Sequence, residues 1–454
     1  MTWQDKFQSA ILHQRAGRLD SAERDFRAAI AANPGFAKAH QNLGTILRYR
    51  GRYRQAIHAF ETARKLDPDL TGIARTSIGI IFTQTGEYAR AEDELRAAVA
   101  AAPSLADAHR FLGDLLRTTN RIEEARSAYL DALRCDPADA EAEFGLAFVR
   151  LALGEMPEAW DNYESRKSRM SSPALQPLWT GENLAGRTLL VHGEQGIGDA
   201  IQFLRYVPLL AKMGARVLVA GPMQLVKLMA SLEGAAEIVE PTFTLPSFDF
   251  SCPLPSLPRM FRTTLASVPG NVPYLSADPA RVAAWREKLG EADGLTVALA
   301  WRGNPNHRND HRRSILKGQL APVFDVPNVR FLVVQRDDAD APTAENVVKL
   351  GAHDLEDIAA ILSLADLSIS VDTVFCHLAG ALGRPVWTLL CTSPDWRWRP
   401  EGDATPWYPT MRLFRQHKQD DWAGVVSDVV AALAEVQKGG GLRSTLAQVS
   451  SAQI

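Results

Sequence analysis

The sequence has few cysteines, no long apolar run and no large excess of charge of either sign. Its four cysteines, Cys135, Cys252, Cys376 and Cys391, lie far apart without C-x-x-C spacing, which disfavours a disulfide framework or a zinc site and favours a reducing, cytoplasmic compartment. No stretch of about 18 apolar residues is present, so no membrane span is expected. A basic start followed by an apolar core is also missing, which excludes a secretory signal at Met1.

Charge and length restrict the remaining classes. The formal net charge of -3 argues against a general electrostatic interaction with nucleic acid or anionic membranes. The 23% of charged and 46% of hydrophobic residues are ordinary for a globular protein. At 454 residues the chain is long enough for about three domains.

The first third of the chain repeats itself. Four series share spacings of 34 or 35 residues, namely Gly17, Gly51, Gly86, Asn120 and Gly154; Ala22, Ala56, Ala91, Ala125 and Ala159; Phe26, Phe60, Leu95, Tyr129 and Tyr163; and Ala10, Gly44, Gly79, Gly113 and Ala147. The glycine or asparagine series suits left-handed helix ends, and the other small residues let two helices approach closely. The period and the pattern resemble the tetratricopeptide repeat (TPR).

This resemblance predicts an α-helical solenoid over residues 1–167. One unit of two helices cannot bury its apolar face alone, whereas stacked units form a continuous core and a concave groove. Such a groove suits a protein or peptide partner, here a protein acceptor if the remainder of the chain is an enzyme. A rigid spacer or an arm for homo-oligomerisation is the alternative.

Alternating strands and helices follow a connecting segment at 168–185. Apolar runs at 187–191, 215–220, 236–239 and 248–250 predict a parallel α/β lobe over 186–275. Between the first strand and the next helix, Gly193, Gly196 and Gly198 give G-x-x-G-x-G rather than the G-x-G-x-x-G dinucleotide fingerprint. A nicotinamide or flavin enzyme is therefore disfavoured.

The segment Gly198-Asp199-Ala200-Ile201, with Pro208-Leu209 downstream, resembles the first loop of heptosyltransferase-type glycosyltransferases. The resemblance implies that Gly198 opens a helix at the donor site and that Asp199 removes the proton of the acceptor hydroxyl. Helix N-capping is the alternative role for Asp199, and the loop alone does not decide between them.

A second α/β lobe is predicted over 276–437, beginning with the apolar strand at 295–301. The loop that follows is basic, and Arg312 and Arg313 are the side chains in it that suit a diphosphate, because guanidinium binds phosphate with two parallel bonds. Further strands are predicted at 329–335 and 366–371, with helices at 355–364 and 422–436. The sequence Asp338-Ala339-Asp340 matches D-x-D, but a motif this short arises often by chance, and no metal site is predicted from it.

The segment Asp372 to Pro385 resembles the D-T-x-x-x-H-L-x-x-A-x-x-x-P motif of the heptosyltransferase family. In that family the helix that starts here points its N-terminus at the diphosphate of a sugar nucleotide, as free N–H groups and the helix dipole favour. The resemblance implies Asp372, Thr373 and His377 as donor-binding residues. Val374 departs from the motif, in which glycine is usual. A cap at Asp372 or Thr373 with a packed His377 is the structural alternative.

The predicted fold is thus α + α/β: a TPR solenoid followed by a two-lobed glycosyltransferase of the GT-B type, with a disordered tail at 438–454. The resemblance implies inverting, metal-independent sugar transfer from a nucleotide sugar, without a further cofactor, to a hydroxyl on a protein recruited by the repeats. Two alternatives stay open. One is a lipid or polysaccharide glycosyltransferase that uses its repeats for assembly, and the other is a non-catalytic scaffold with a degenerate transferase fold.

Overall fold

The computed structural model describes residues 2–169, 175–194, 196–240, 245–307, 309–316, 318–335, 339 and 341–440. Contacts divide the chain into a repeat unit, Met1–Arg150 with Ser165–Arg169, and an α/β unit, Leu151–Glu164 with Met170–Ile454. The period of the repeats runs on through Leu151–Glu164, yet this segment makes its contacts with the α/β unit.

The repeat pattern forms antiparallel helices of 13 or 14 residues, as predicted. They are Trp3–Arg15 (α1), Leu19–Ala32 (α2), Ala37–Tyr49 (α3), Tyr53–Leu66 (α4), Thr71–Gln84 (α5), Tyr88–Ala101 (α6), Ala106–Thr118 (α7), Ile122–Cys135 (α8) and Ala140–Leu153 (α9), followed by the shorter Met156–Tyr163 (α10). The connecting glycines and Asn120 all have positive φ, between 60° and 87°. This confirms the prediction of left-handed helix ends.

The small residues and the large apolar residues of the pattern meet inside the second, third and fourth repeats. A Cβ at Gly44 would lie 2.6 Å from the Phe60 ring, and a Cβ at Gly113 would lie 2.9 Å from the Tyr129 ring. The two series share one period because each large side chain fills the space that a missing Cβ leaves on the partner helix.

Charge also joins successive repeats. Glu23 of α2 is 3% exposed, and its carboxylate accepts hydrogen bonds from Arg27 of its own helix and from Arg50 and Arg52 of the next repeat. Burial raises the pKa of Glu23, but the three guanidinium groups outweigh it and hold the pKa below its ordinary value.

Two parallel sheets form the α/β unit. The strands are Thr188–His192 (β1), Arg216–Ala220 (β2), Ala235–Val239 (β3), Phe250–Pro253 (β4), Leu295–Ala300 (β5), Val329–Val333 (β6), Val347–Lys349 (β7), Leu367–Val371 (β8), Val386–Leu390 (β9) and Met411–Arg415 (β10). The first sheet has the order β3-β2-β1-β4, and the second has the order β10-β9-β8-β5-β6-β7. All the pairings are parallel.

Helices of varied length connect these strands. They are Ile197–Leu204 (α11), Val207–Lys212 (α12), Val226–Met229 (α13), Leu257–Met260 (α14), Pro279–Leu289 (α15), Asp310–Arg313 (α16), Ala321–Phe324 (α17), Leu355–Leu364 (α18), Val374–Ala381 (α19) and Trp422–Glu435 (α20). The core of the second sheet contains Val297 of β5, Phe331 of β6 and Ile369 of β8, with Val429 of α20 in the same cluster. No helix of the described residues is long and apolar enough to span a membrane.

The two-lobed α/β architecture agrees with the prediction, but several elements differ. The apolar pattern at 225–232 predicts a helix, but only the single turn α13 forms there, after a 3-10 turn at Met223–Leu225. Helix α15 and strands β7 and β9 were not predicted. In the connecting segment, Leu178 forms a parallel bridge with Ser251 of β4, so this part packs against the first sheet. The Asp338 and Asp340 pair and most of the tail predicted as disordered, 441–454, lie outside the described residues.

The strand orders place two crevices at the carboxyl ends of the strands. In the first sheet, β1 lies between β2 and β4, and in the second, β5 lies between β8 and β6. At these positions the order of the strands reverses, so the loops that follow neighbouring strands diverge and leave space for a ligand. The loop after β1 leads to Asp199, and the loops after β5 and β8 lead to Arg313 and Asp372.

Candidate functional site

Asp199 lies in the first turn of α11, directly after the loop that leaves β1. Gly196 is the residue before the helix, and its N–H donates to Oδ2 of Asp199 at 3.2 Å. The aspartate therefore closes the helix N-terminus from its third position. Its side chain remains 25% exposed. The capping role considered for Asp199 is present, but it uses only one carboxylate oxygen.

The other oxygen of Asp199 binds Arg397, which lies on the 3-10 turn Trp396–Trp398 after β9. The same guanidinium donates through Nη1 to Asp395 Oδ1 at 2.7 Å and through Nε to Oε1 of Gln202 in α11. Its side chain is only 7% exposed. Arg397 thus joins the helix that follows β1 to the loop that follows β9.

The charges of this group perturb one another. The pKa of Asp199 lies above its ordinary value: burial raises it most, Arg397 partly opposes this rise, and the Asp395 carboxylate adds to it. Burial also disfavours the charge on Arg397, but the carboxylates of Asp395 and Asp199 raise the pKa of the guanidinium above its ordinary value. Arg397 therefore stays a cation.

The turn between β8 and α19 supplies the second part of the site. Thr373 precedes α19, and its Oγ1 accepts from Phe375 N–H at 3.4 Å, so it caps the helix. Asp372 lies beside it, 20% exposed, and its backbone carbonyl accepts from Arg313 Nη1 at 3.0 Å. Burial first, and then the Asp395 carboxylate, raise the pKa of Asp372 to about 6.

His377 is buried one turn further along α19. Its Nδ1 lies 2.9 Å from the Tyr408 hydroxyl, and its Nε2 lies 3.9 Å from Oδ1 of Asp372. Burial and then the nearby Arg397 lower the pKa of the imidazole well below its ordinary value, so the ring is neutral at physiological pH. A Cβ at Gly198 would lie 2.8 Å from His377 Cδ2, so the glycine allows α11 to approach α19.

Two arginines of the basic loop take different places. Arg313 donates to Asp310 at 3.1 Å and reaches the turn after β8. Arg312 lies near Cys391 at the end of β9, where burial raises the pKa of the thiol and the guanidinium opposes that rise. Burial lowers the pKa of His307 in the same loop, and Arg313 lowers it further, while the Asp199 carboxylate acts in the opposite direction.

Comparisons with known proteins agree with the division of the chain into a repeat unit and an α/β unit. Residues 7–48, 42–106, 78–140 and 112–165 match the family model "Tetratricopeptide repeat", and residues 335–421 match "Glycosyltransferase family 9 (heptosyltransferase)". The chain carries tetratricopeptide repeats and a glycosyltransferase family 9 domain.

The individual proteins to which the chain is similar share little sequence identity with it. The chain is similar to "Protein FlbA" of Caulobacter vibrioides, with 26% identity over 89% of this chain and 74% of the relative. It is also similar to "Cellulose synthase 1 operon protein C" of Komagataeibacter xylinus, with 26% identity over 34% of this chain and 12% of that protein. Among solved structures, MamA from Desulfovibrio magneticus RS-1 has 22% identity and a TM-score of 0.31, over 37% of this chain and 97% of its own.

The structure gathers most of the residues predicted for the site. In the α/β unit, the turn after β8 brings Asp372 beside Arg313, and the contact of α11 with α19 brings Gly198 beside His377. Thr373 and His377 also have the structural roles that the sequence left open, as cap and as packed side chain. Their roles towards a donor stay predictions.

Arg397, Asp395 and Gln202 were not predicted as members of the site. In the sequence, Asp395-Trp396-Arg397 lies in a segment that is dense in aromatic residues and arginine, which suits phosphate or sugar binding as well as tight packing. Arg397 and Asp199 are 198 positions apart, and no period or motif links them. Signals that would have pointed to them are a carboxylate at the start of a turn and an arginine flanked by two tryptophans.

One group of side chains in the family 9 domain has the spacing of a metal site. Among the described residues, ligand atoms of Asp372, Cys376 and His377 lie within 4.8 Å of one another. Cys376 is fully buried, burial raises the pKa of its thiol above the ordinary value, and Sγ donates to the Thr373 carbonyl at 3.0 Å. Because the thiolate is the form that binds metals, a protonated Cys376 does not favour one here.

Proposed function

We propose that the chain is a GT-B glycosyltransferase that moves a sugar, with inversion and without a metal, from a nucleotide sugar to a hydroxyl of a protein recruited by the repeats. The supporting observation is that Asp199, a part-exposed carboxylate after β1, lies in one ionic network with the loops that follow β8 and β9. In this architecture a base from one lobe faces a donor held by the other.

In the proposed reaction the acceptor oxygen forms a bond to the anomeric carbon while the bond from that carbon to the phosphate oxygen breaks. The acceptor proton passes to the Asp199 carboxylate, and the nucleoside diphosphate leaves with the electron pair. The remaining lone pairs of Asp199 Oδ2 are available for this proton, since Gly196 N–H occupies only one direction.

For the donor diphosphate we propose the N-terminus of α19, with Arg313 beside it and Arg312 at the end of β9. Free N–H groups and the dipole of a helix stabilise an anion, and guanidinium adds paired hydrogen bonds. The N–H of Val374 opens the helix next to Asp372. The valine side chain branches at Cβ, so it narrows this approach compared with glycine.

A protein acceptor agrees with the repeat unit, because stacked repeats of this kind present an extended surface for partners. We also propose a cytoplasmic location, which agrees with the finding that none of the four cysteines, all within the described part of the chain, is in a disulfide. Transfer to a lipid or polysaccharide would use the same site, and only the acceptor would differ.

The first experiment measures thermal stabilisation by UDP, GDP, ADP, dTDP and their sugar derivatives. A ligand that binds only the folded state raises the melting temperature with its occupancy. We expect one nucleotide to act, and we expect the effect to be lost in Arg312→Ala/Arg313→Ala. Asp199→Asn should retain the nucleotide effect and lose turnover. If none of the nucleotides stabilises the protein, the donor site is refuted.

The runner-up is a non-catalytic scaffold. The observation that favours it is the occupation of both Asp199 oxygens, by Arg397 and by Gly196 N–H, together with valine at 374. Nucleotide binding without release of nucleoside diphosphate from any bound sugar nucleotide, in the presence of candidate acceptors, would support the scaffold over the enzyme.

A further inference from the structure

Arg397 makes more contacts with charged and polar groups of the site than its place in the sequence suggests. Its guanidinium donates to Asp199, Asp395 and Gln202, and so uses all three nitrogen atoms. Two of these partners belong to α11 and one belongs to the turn that carries the arginine. Because the guanidinium group is planar and its three acceptors are fixed, Arg397 has a single orientation here.

Aromatic packing also fixes the backbone of this turn. The guanidinium lies 4.5 Å from the centre of the Trp396 ring and 6.0 Å from that of Phe203. Trp396 in turn meets Trp160 of α10 edge-on, with ring centres 5.5 Å apart. Thr405 Oγ1 donates to the Arg397 carbonyl at 3.1 Å. The arginine is therefore held before any substrate arrives.

A carboxylate that removes a proton has two requirements. It has to be ionised before the reaction, and one of its oxygens has to point at the acceptor. Burial of Asp199 acts against the first requirement, and rotation about its side-chain bonds acts against the second. A buried cation bound to one oxygen favours ionisation of the carboxylate, and it also fixes the direction of the other oxygen.

We propose that Arg397 is the positioning residue of Asp199: it binds Oδ1, favours the ionised form of the carboxylate and directs Oδ2 towards the acceptor. This inference rests on the proposed function, because it gives Asp199 the role of base. In the non-catalytic alternative, the ion pair between Asp199 and Arg397 blocks the carboxylate. In this proposal the same ion pair orients it. The pair leaves Oδ2 only partly occupied, and Arg397 itself does not have to touch the donor.

Other charged groups face this pair and set the background of any titration. They come from the turn of Arg397, from the loop after β5, from the turn after β8, from α19 and from α10, and they are Asp395, His307, Arg313, Asp372, His377 and Tyr163. Changing only residue 397 keeps all of these groups in the chain, but it also removes the ion pair between Asp395 and Arg397. The part of the pH profile that vanishes in Asp199→Asn is therefore the part to compare between wild type and Arg397→Met.

The test compares Arg397→Met, Arg397→Lys and Asp199→Asn. The reaction followed is release of nucleoside diphosphate from the sugar nucleotide that stabilises the wild type, with water as acceptor. In Arg397→Met we expect kcat to fall by about 100-fold with little change in KM, as for a misplaced catalytic group. The acidic limb of the pH profile should move up by about one to three pH units, because a cation next to a carboxylate lowers its pKa by that amount.

Arg397→Lys keeps the charge and loses the fork, so its acidic limb should stay near that of the wild type while kcat stays low. In Asp199→Asn this limb should vanish. Arg330→Met is the matched control, since Arg330 lies at the start of β6, away from the carboxyl ends of the strands, and donates to the Leu289 carbonyl at the end of α15. It should leave kcat and the limb unchanged. A limb that does not move in a folded Arg397→Met variant overturns the proposal.

A second measurement does not depend on turnover. Unfolding by urea is followed in wild type, Arg397→Met, Asp199→Asn and the double variant at pH 8. Asp199→Asn should destabilise the wild type but stabilise Arg397→Met, where the buried carboxylate has lost its cation. If this reversal is seen and no sugar nucleotide is turned over, the pair stands and the proposed function fails. Additive effects of the two substitutions refute the pair itself.

Discussion

The carboxyl group of Asp372 should lower the stability of the ligand-free protein at neutral pH. Its pKa rises from 3.8 to about 6 in the folded chain, because burial and the Asp395 carboxylate disfavour its ionised form. The folded state therefore binds this proton more tightly than the unfolded state. The stability that this gives is present at low pH and is lost as the pH rises from about 4 through 6.

The expected effect follows from this difference. When Asp372 is ionised in both the folded and the unfolded chain, the rise in its pKa lowers the free energy of unfolding by about 3 kcal/mol, at about 1.4 kcal/mol per pKa unit. Asp372→Asn keeps the size of the side chain and removes the ionisation. We expect it to raise the free energy of unfolding by about 2–3 kcal/mol more at pH 8 than at pH 4.

Tryptophan fluorescence in urea measures this transition in the α/β unit. Of the ten tryptophans, Trp3 alone lies in the repeat unit, so the signal comes almost entirely from the part that contains Asp372. Asp249→Asn is a control of opposite sign. Asp249 accepts from Thr188 N–H at 2.7 Å, and this bond holds its pKa below the ordinary value. Its substitution should lose more stability at pH 8 than at pH 3, because the contribution of a group with a lowered pKa fades as the pH falls through that pKa.

An equal effect of Asp372→Asn at pH 4 and pH 8 would refute the reasoning. It would mean that the carboxyl group ionises as easily in the folded as in the unfolded chain. The burial and the repulsion from Asp395 would then have no energetic consequence, and the crevice after β8 would be better solvated than its geometry indicates.

Three further predictions concern packing and charge. Trp160→Ala should lower the stability of the α/β unit by about 3–5 kcal/mol in the same fluorescence assay, because Trp160 is 1% exposed and donates to the Thr263 carbonyl; Trp160→Phe should lose less, and equal losses would contradict a packing role. Gly198→Ala should cost about 1–3 kcal/mol in the same assay through its contact with His377, and no loss would show that α11 can move away. Glu23→Gln should destabilise the repeat unit by about 1–3 kcal/mol at pH 7, as measured by circular dichroism. The difference in stability between the variant and the wild type should vanish below the pKa of Glu23. A difference that does not change with pH would exclude the ion pairs as its cause.

The repeat unit could be predicted from sequence because its interactions are local. Gly44 and Phe60 are 16 residues apart and meet across one helix hairpin, and the equivalent contact recurs between Gly79 and Leu95 and between Gly113 and Tyr129. A pattern repeated in this way separates the packing signal from chance. The one thing that the period could not tell is where the repeats stop being a separate unit. Trp160 and Tyr163 keep the repeat pattern, yet Trp160 packs against Trp396 and Trp407 of the α/β unit.

The α/β unit was predictable where a strand is a continuous apolar run. Strands β1, β5 and β8 are of this kind, and each was placed within about two residues. Strand β9 was missed because Val386 and Trp387 directly follow a motif that had already been assigned to a helix and its end. Helix α15 was missed because it buries only Trp285, so its sequence has little apolar periodicity.

The site shows why the capping and catalytic readings of Asp199 could not be separated from sequence. Both require an aspartate in the first turn of a helix after a glycine-rich loop, so the local pattern is the same. What distinguishes them is the second oxygen, and its partner is Arg397. A simple cap has no use for a buried cation on its other oxygen, since one bond to Gly196 N–H already completes the helix N-terminus.

A buried arginine beside Asp199 and Asp395 is costly unless all its hydrogen bonds are made, because a charge leaves water when it is buried. Here the cost is limited by three acceptors and by the aromatic rings of Trp396 and Phe203. Uncharged residues at 199, 395 and 397 together would pack among those rings without any such requirement. The chain therefore keeps a charged group of side chains that stability alone does not require, and we propose that proton transfer at Asp199 is the property that it serves.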